Sequence, residues 1–134
     1  MSVDTKPPSF GFSDGFDSLF LNDLYGDDMV AAAEVFEGSG TRIAEAIAEA
    51  KVHLASGERD KLRRAIHRVK PVFGYTGLTE VQDAAGAFES RCLKETDMDL
   101  LSDDFRSLEG SMREASARIA DELERLKAHV NRNA

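Results

Sequence analysis

A histidine that faces water from a rigid helix, ringed by cations, is equipped to accept a phosphoryl group from another protein. His67 has that setting in the run Arg63-Arg64-Ala65-Ile66-His67-Arg68-Val69-Lys70-Pro71-Val72-Phe73-Gly74. A neutral imidazole is the nucleophile, and histidine is the side chain most nearly balanced between its two charge states at physiological pH. Arg63, Arg64 and Lys70 oppose a positive charge on the ring, and they can neutralise the oxygens of an attached phosphoryl group, with Lys70 reaching from i+3.

The placement follows from helical geometry. At about 100° per residue, the apolar stripe of this segment centres on Leu62, Ile66, Val69 and Phe73, and His67 points roughly 140 to 150° away from it. Gly74 projects within roughly 20° of His67, Arg63 and Pro71 within about 40°, and Arg64 and Lys70 within about 60°. A glycine inside a helix costs stability, so Gly74 asks for a reason, and room for a docking protein beside His67 supplies one. Pro71 cannot donate to the carbonyl four residues back, which belongs to His67, so the helix should kink or its ladder loosen there. Each feature also has an ordinary explanation: an incidental surface histidine, a solvated lysine, a C-capping glycine. Their combination on one face favours the chemical reading.

Bulk properties narrow the field. The chain has 134 residues with 42% hydrophobic and 31% charged, enough for one domain with a core that needs no metal or disulfide. A net charge of −8 excludes general nucleic-acid or anionic-membrane binding, which need a basic footprint. The exception is a basic island, where Arg59, Lys61, Arg63, Arg64, Arg68 and Lys70 outnumber Glu58 and Asp60. The single cysteine, Cys92, lies on an apolar stripe and reads as core. No secretory pattern opens the chain, and no apolar run approaches the ~20 residues of a membrane span, so a soluble cytoplasmic protein is expected. His53, His67 and His129 fall on different helices without metal-ligand spacing, and His53 and His129 read as surface residues near helix C-termini. Gly38-Ser39-Gly40-Thr41 lacks the pattern of a phosphate loop, so nucleotide binding is discounted.

Patterning predicts an all-α protein. Residues 1–15, with Pro7-Pro8, Gly11 and Gly15, read as a flexible N-terminal tail from which Phe10 and Phe12 can dock. Phe16, Leu19, Phe20 and Leu24 then recur as the packing stripe of a short helix stopped at Gly26. Asp27 or Asp28 caps a long helix with Val30, Ala33, Phe36, Ile43, Ile47, Ala50 and Leu54 in phase, which continues across Gly38 and Gly40 to Gly57. The histidine helix runs from near Glu58 to Tyr75 and is closed by Gly77. Thr79 and Gln82 have the form of a capping box for a fourth helix burying Val81, Ala84, Ala85, Phe88 and Cys92. Residues 96–104 read as a polar connection, with Ser102 or Asp103 capping a last helix through Phe105, Leu108, Met112, Ala115, Ile119, Leu123 and Leu126. Four amphipathic helices with short connections imply an antiparallel up-down four-helix bundle with a short additional N-terminal helix, over residues 16–131.

The run His67-Arg68-Val69-Lys70 with Gly74 and Gly77 behind it resembles the signature of histidine-containing phosphotransfer (HPt) domains, and the order of helices from about residue 16 to residue 128 is similar too. The resemblance implies His67 as phosphoacceptor through Nε2, Lys70 as phosphoryl-stabilising residue, and Arg63, Arg64, Arg68, Pro71, Gly74 and Gly77 at the partner surface. It implies a carrier without kinase activity of its own, moving a phosphoryl group between aspartates of the receiver domains of hybrid histidine kinases and response regulators. It implies no cofactor on this chain, the Mg²⁺ lying on the partner receiver. Pro71 departs from the small residue common at that position. The alternative is an adaptor that binds a receiver or kinase domain without being phosphorylated, and replacing His67 separates the two.

Overall fold

Three aspartates start helices. Asp17 accepts from the Phe20 N–H at 3.1 Å, Asp28 from Ala31 at 2.9 Å, and Asp97 from Asp99 at 2.9 Å as well as from Leu100. Each such cap satisfies a backbone donor that the helix leaves free and contributes about 1 kcal/mol. They open α1 (Ser18–Tyr25), α2 (Met29–Ala55) and α5 (Met98–Arg132). Between them lie α3 (Arg59–Tyr75) and α4 (Thr79–Lys94), whose cap residues Glu58 and Leu78 make no side-chain cap bond. The expected capping box at Thr79 therefore does not form. Leu78, 2% exposed, takes the cap position because its side chain is needed in the core.

The computed structural model describes residues 10–133, and among these the protein is all-α, with five helices and no strand. α2 packs on α3 and α5, and α4 packs on α3 and α5, so α2 to α5 close a four-helix bundle. The connections 56–58, 76–78 and 95–97 are short enough to force successive helices antiparallel. α2 runs unbroken across Gly38 and Gly40, as its phase implies. The bundle interior holds Phe36, Ile43, Leu62, Ile66, Phe73, Phe105, Met112, Ile119 and Leu126, each of them at most 2% exposed. A Leu, Ile or Phe buried this fully contributes about 1.5–3 kcal/mol, enough to carry helices that have no cap.

Several boundaries differ from expectation. α5 starts at Met98, well before Ser102, because Leu101 extends the stripe of Phe105 and Leu108 by one more step and is fully buried. α2 turns Met29 and Ala32 inward and leaves Val30 exposed, and α4 leaves Ala84 exposed. The stripe assigned to α1 is also out of phase. Leu21 is fully buried with Tyr25 packed beside the core, whereas Leu19, Phe20 and Leu24 face solvent. His53 is half-buried between Glu49 and Glu58, and His129 packs edge-on against Phe10, so neither is a plain surface residue.

In the N-terminal segment Phe10 and Phe12 dock as expected, while residues 10–15 are more firmly held than a flexible tail. Phe10, Phe12 and Phe16 are all buried, with Phe12 stacked on Phe36 of α2. Arg125 covers the Phe10 ring at 4.8 Å and Arg118 the Phe16 ring at 5.2 Å. Glu122 of α5, 2% exposed, accepts from the Ser13 N–H at 2.6 Å, the Ser13 hydroxyl at 2.7 Å and Arg125 at 2.8 Å. A buried carboxylate with three donors is well compensated, so this segment is fastened to α5. Residues 10–15 are thus part of the packed body, and the remainder of the expected tail, residues 1–9, lies outside the described residues. At the other end α5 reaches Arg132. No helix among the described residues is long and apolar enough to cross a membrane.

Candidate phosphotransfer site

α3 and α4 lie antiparallel, so residues going up one helix face residues going down the other. Glu89 faces His67, Gly86 faces Lys70, and Gln82 faces Gly74. The helix that presents His67 is held by Leu62, Ala65, Ile66, Val69, Val72 and Phe73, all buried, which leaves the opposite face free. The His67 side chain is 65% exposed.

Glu89 organises this face. Its Oε1 lies 2.6 Å from His67 Nδ1 and its Oε2 lies 2.6 Å from Lys70 Nζ, with the carboxylate itself almost buried. Burial pushes the Glu89 carboxyl up, but hydrogen bonds and charge from Lys70 and His67 outweigh it and hold the group below the usual carboxylate range. An ionised carboxylate can only accept, so the proton of the neutral ring sits on Nδ1 and donates to Glu89. Nε2 keeps the lone pair, on the exposed side. Glu89 thus selects the tautomer and orients the ring, as a carboxylate partner does for a working histidine.

The cations are less free than the sequence count implies. Arg63 and Arg64 both turn back to Asp60, at 3.0 and 2.9 Å, Lys61 pairs with Glu58, and Arg68 reaches across to Glu49 on α2. Glu49 and Glu89 come from other helices and reduce the local surplus, so the island is a mixed surface. Asp60 and Glu49 are both held below the usual carboxylate range, chiefly by the hydrogen bonds from Arg63 and Arg68 respectively. Only Lys70 shares a partner with His67. Arg68 stands on the α2 flank, and Lys70 and Glu89 on the α4 flank.

Pro71 is exposed and α3 continues through it to Tyr75, so the helix is not broken there. The His67 carbonyl that lacks a donor lies on the solvated face, where the loss costs least. Gly74 is half-buried, and a methyl group added there would meet Gln82 Nε2 at 2.8 Å. Its small size therefore serves α3–α4 packing. Because the atom it meets is the end of a flexible side chain, Gly74→Ala is expected to keep the fold and change stability by less than about 1 kcal/mol, the gain in helix propensity offsetting the shift of Gln82. Urea unfolding checks this, and a loss above about 2 kcal/mol would show that Gln82 is rigidly held. Gly77 must be removed from the partner surface: it is buried, with its carbonyl accepting from Asp17 N–H at 2.7 Å beneath Leu21.

A family model for the Hpt domain matches residues 33–129. The chain belongs to the Hpt domain family. The match spans most of α2 and all of α3 and α4, and it contains His67, Lys70 and Glu89. Hpt domains act in histidine phosphotransfer within two-component systems, as phosphoryl carriers and not kinases. Comparison with curated proteins and with solved structures found no match. In this Hpt domain α1 and the segment from Phe10 to Asp17 lie outside the matched range. Among the described residues, no cluster of three or more His, Cys, Asp or Glu side chains could hold a metal ion.

Glu89 was missed by sequence reasoning, although a signal existed. Ala85, Phe88, Glu89 and Cys92 follow the i, i+3, i+4, i+7 spacing of a buried face, so a carboxylate stands on the apolar stripe of α4. A charge in that position needs a partner, and α3 offers His67 and Lys70.

Proposed function

We propose that His67 is the phosphoacceptor of this Hpt domain and that it carries a phosphoryl group between receiver-domain aspartates of hybrid histidine kinases and response regulators. The observation that carries this reading is the bond from Nδ1 to Glu89, which leaves Nε2 as the nucleophilic nitrogen of a side chain that is 65% exposed. In the forward step the Nε2 lone pair attacks the phosphorus of an aspartyl phosphate, the N–P bond forms, and the P–O bond breaks with its electron pair returning to the aspartate. In the next step a second receiver's aspartate attacks the same phosphorus, and the electron pair of the N–P bond returns to Nε2. Mg²⁺ belongs to the acidic pocket of the receiver, with this chain supplying the histidine and no cofactor of its own. Lys70 stabilises the phosphoryl oxygens, moving its ammonium group from the edge of Glu89 toward Nε2. Arg63, Arg64, Arg68, Pro71 and Gly74 surround the acceptor on the surface that meets the receiver, where the cations steer an acidic partner.

Incubating the protein with a panel of phosphorylated receivers and following loss of phosphate from the receiver tests the reading. Lys70→Ala is expected to slow transfer by about tenfold without preventing it, because one charge-assisted contact to the transferring group is lost while the nucleophile remains. An unchanged single-turnover rate would remove Lys70 from the reaction.

A further inference from the structure

A neutral acceptor at Nδ1 would be enough to orient His67, yet this chain places a full negative charge there, fixed by Lys70 and almost buried. That charge matters most after the transfer. A ring bearing a phosphoryl group on Nε2 and a proton on Nδ1 is a cation, and its leaving group in the next step is a neutral imidazole. If the Nδ1 proton is lost, the leaving group becomes an imidazolate, which departs far more slowly. We propose that the Glu89 carboxylate, through its charge and not only as a hydrogen-bond acceptor, retains the Nδ1 proton while the phosphoryl group rides on Nε2, and so keeps the carried group quick to transfer. This rests on His67 being the phosphoacceptor.

The surroundings fit that role. On α4 the charged group against the ring is Glu89, and on α3 it is Lys70, which is already engaged with Oε2 of the same carboxylate. Arg63 and Arg64 share that face of α3 but are turned toward Asp60, and Arg68 is engaged by Glu49 on the α2 flank. The two oxygens of Glu89 divide the work, Oε1 for the ring and Oε2 for the ammonium. When Lys70 moves to the phosphoryl oxygens, Glu89 is left with the ring as its remaining positive neighbour, and its hold on the Nδ1 proton strengthens. Loading the ring thus completes its own activation. Glu89 acts here as a positioning residue, since it touches neither the phosphoryl group nor the receiver.

Glu89→Gln isolates the charge, because the amide oxygen can still accept from Nδ1–H. Both proteins are loaded with phosphoramidate, which needs no partner, and loss of the phosphoryl group is followed by intact mass between about pH 5 and pH 9. A group favoured in its protonated form by a carboxylate loses that proton at higher pH, so removing the charge moves the fall in rate to lower pH. The expected result is a profile displaced downward by about one pH unit in Glu89→Gln, giving about five- to tenfold slower loss at about pH 8 and convergence at about pH 5. Superimposable profiles would overturn the proposal while leaving His67 as the acceptor, since both proteins would have loaded. If the wild-type protein takes no phosphoryl group on His67 from phosphoramidate or from any receiver, the acceptor reading fails and this one with it. If Glu89→Gln does not fold, ¹⁵N NMR of the phosphorylated wild-type protein decides. The Nδ1 proton should persist to higher pH than in Nε2-phosphohistidine of an unstructured peptide, and an equal value would overturn the proposal.

Discussion

His67→Gln is expected to reduce phosphoryl transfer from a phosphorylated receiver to background, by roughly 10³-fold or more, while the bundle stays folded. The loss is chemical: no other side chain on this face offers a nucleophilic nitrogen aimed at solvent, and Lys70 and the arginines are protonated and paired. The structural cost is small because the ring is largely exposed and the buried face of α3 is untouched. Glutamine can still donate an amide N–H toward Glu89, so the carboxylate is not left without a donor. A melting curve should place the variant within about 1 kcal/mol of wild type. Retained transfer would move the acceptor elsewhere.

Gly77→Ala is expected to have the largest effect on stability, and it does so far from His67. Gly77 has φ +70, where a side chain is strained, and an added Cβ would lie 2.6 Å from Leu21 Cδ1 and 3.2 Å from the backbone nitrogen of Asp17. The turn there is closely determined. Gly77 N–H donates to Gly74 at 3.0 Å and Leu78 N–H to Phe73 at 2.8 Å, the pair of bonds that closes a helix on a left-handed glycine. The Leu21 side chain would have to move, and α1 would lift from the end of α3. Backbone strain of about 1–2 kcal/mol and overpacking of about 1–3 kcal/mol together imply a loss of roughly 2–5 kcal/mol. Thermal unfolding should show this as a fall in Tm of about 10 °C. Gly26→Ala is the control, since Gly26 has φ +57 but open space around its Cβ, and it should lose about 1 kcal/mol only.

Much of this architecture is legible from apolar spacing. The stripe of α3, from Leu62 to Phe73, places His67 on the solvated face with no knowledge of the other helices, because the position of a side chain around a helix follows from its number alone. The continuity of α2 across Gly38 and Gly40 is readable in the same way. Features that depend on a second helix are not. Glu89 becomes a partner of His67 only once α4 is set antiparallel to α3, and Glu49 draws Arg68 away only once α2 is packed beside it. The basic island looked more positive than it is because Glu49 and Glu89, distant in sequence, could not be counted against it. Gly77 looked like a helix stop open to a partner, and it became interior when α1 folded over it. The segment from Phe10 to Phe16 shows the same limit, since the composition of a tail says nothing of the groove that receives its three rings.

The most direct test of the central claim is the site of modification itself. The protein is incubated with a competent phosphorylated receiver and Mg²⁺, and the product is mapped by mass spectrometry and by ¹⁵N–³¹P coupling in NMR. The account predicts one acid-labile phosphoryl group, on His67, bonded through Nε2. A stable complex with the receiver in which His67 stays unmodified, or a phosphoryl group on Nδ1 or on another residue, would contradict it.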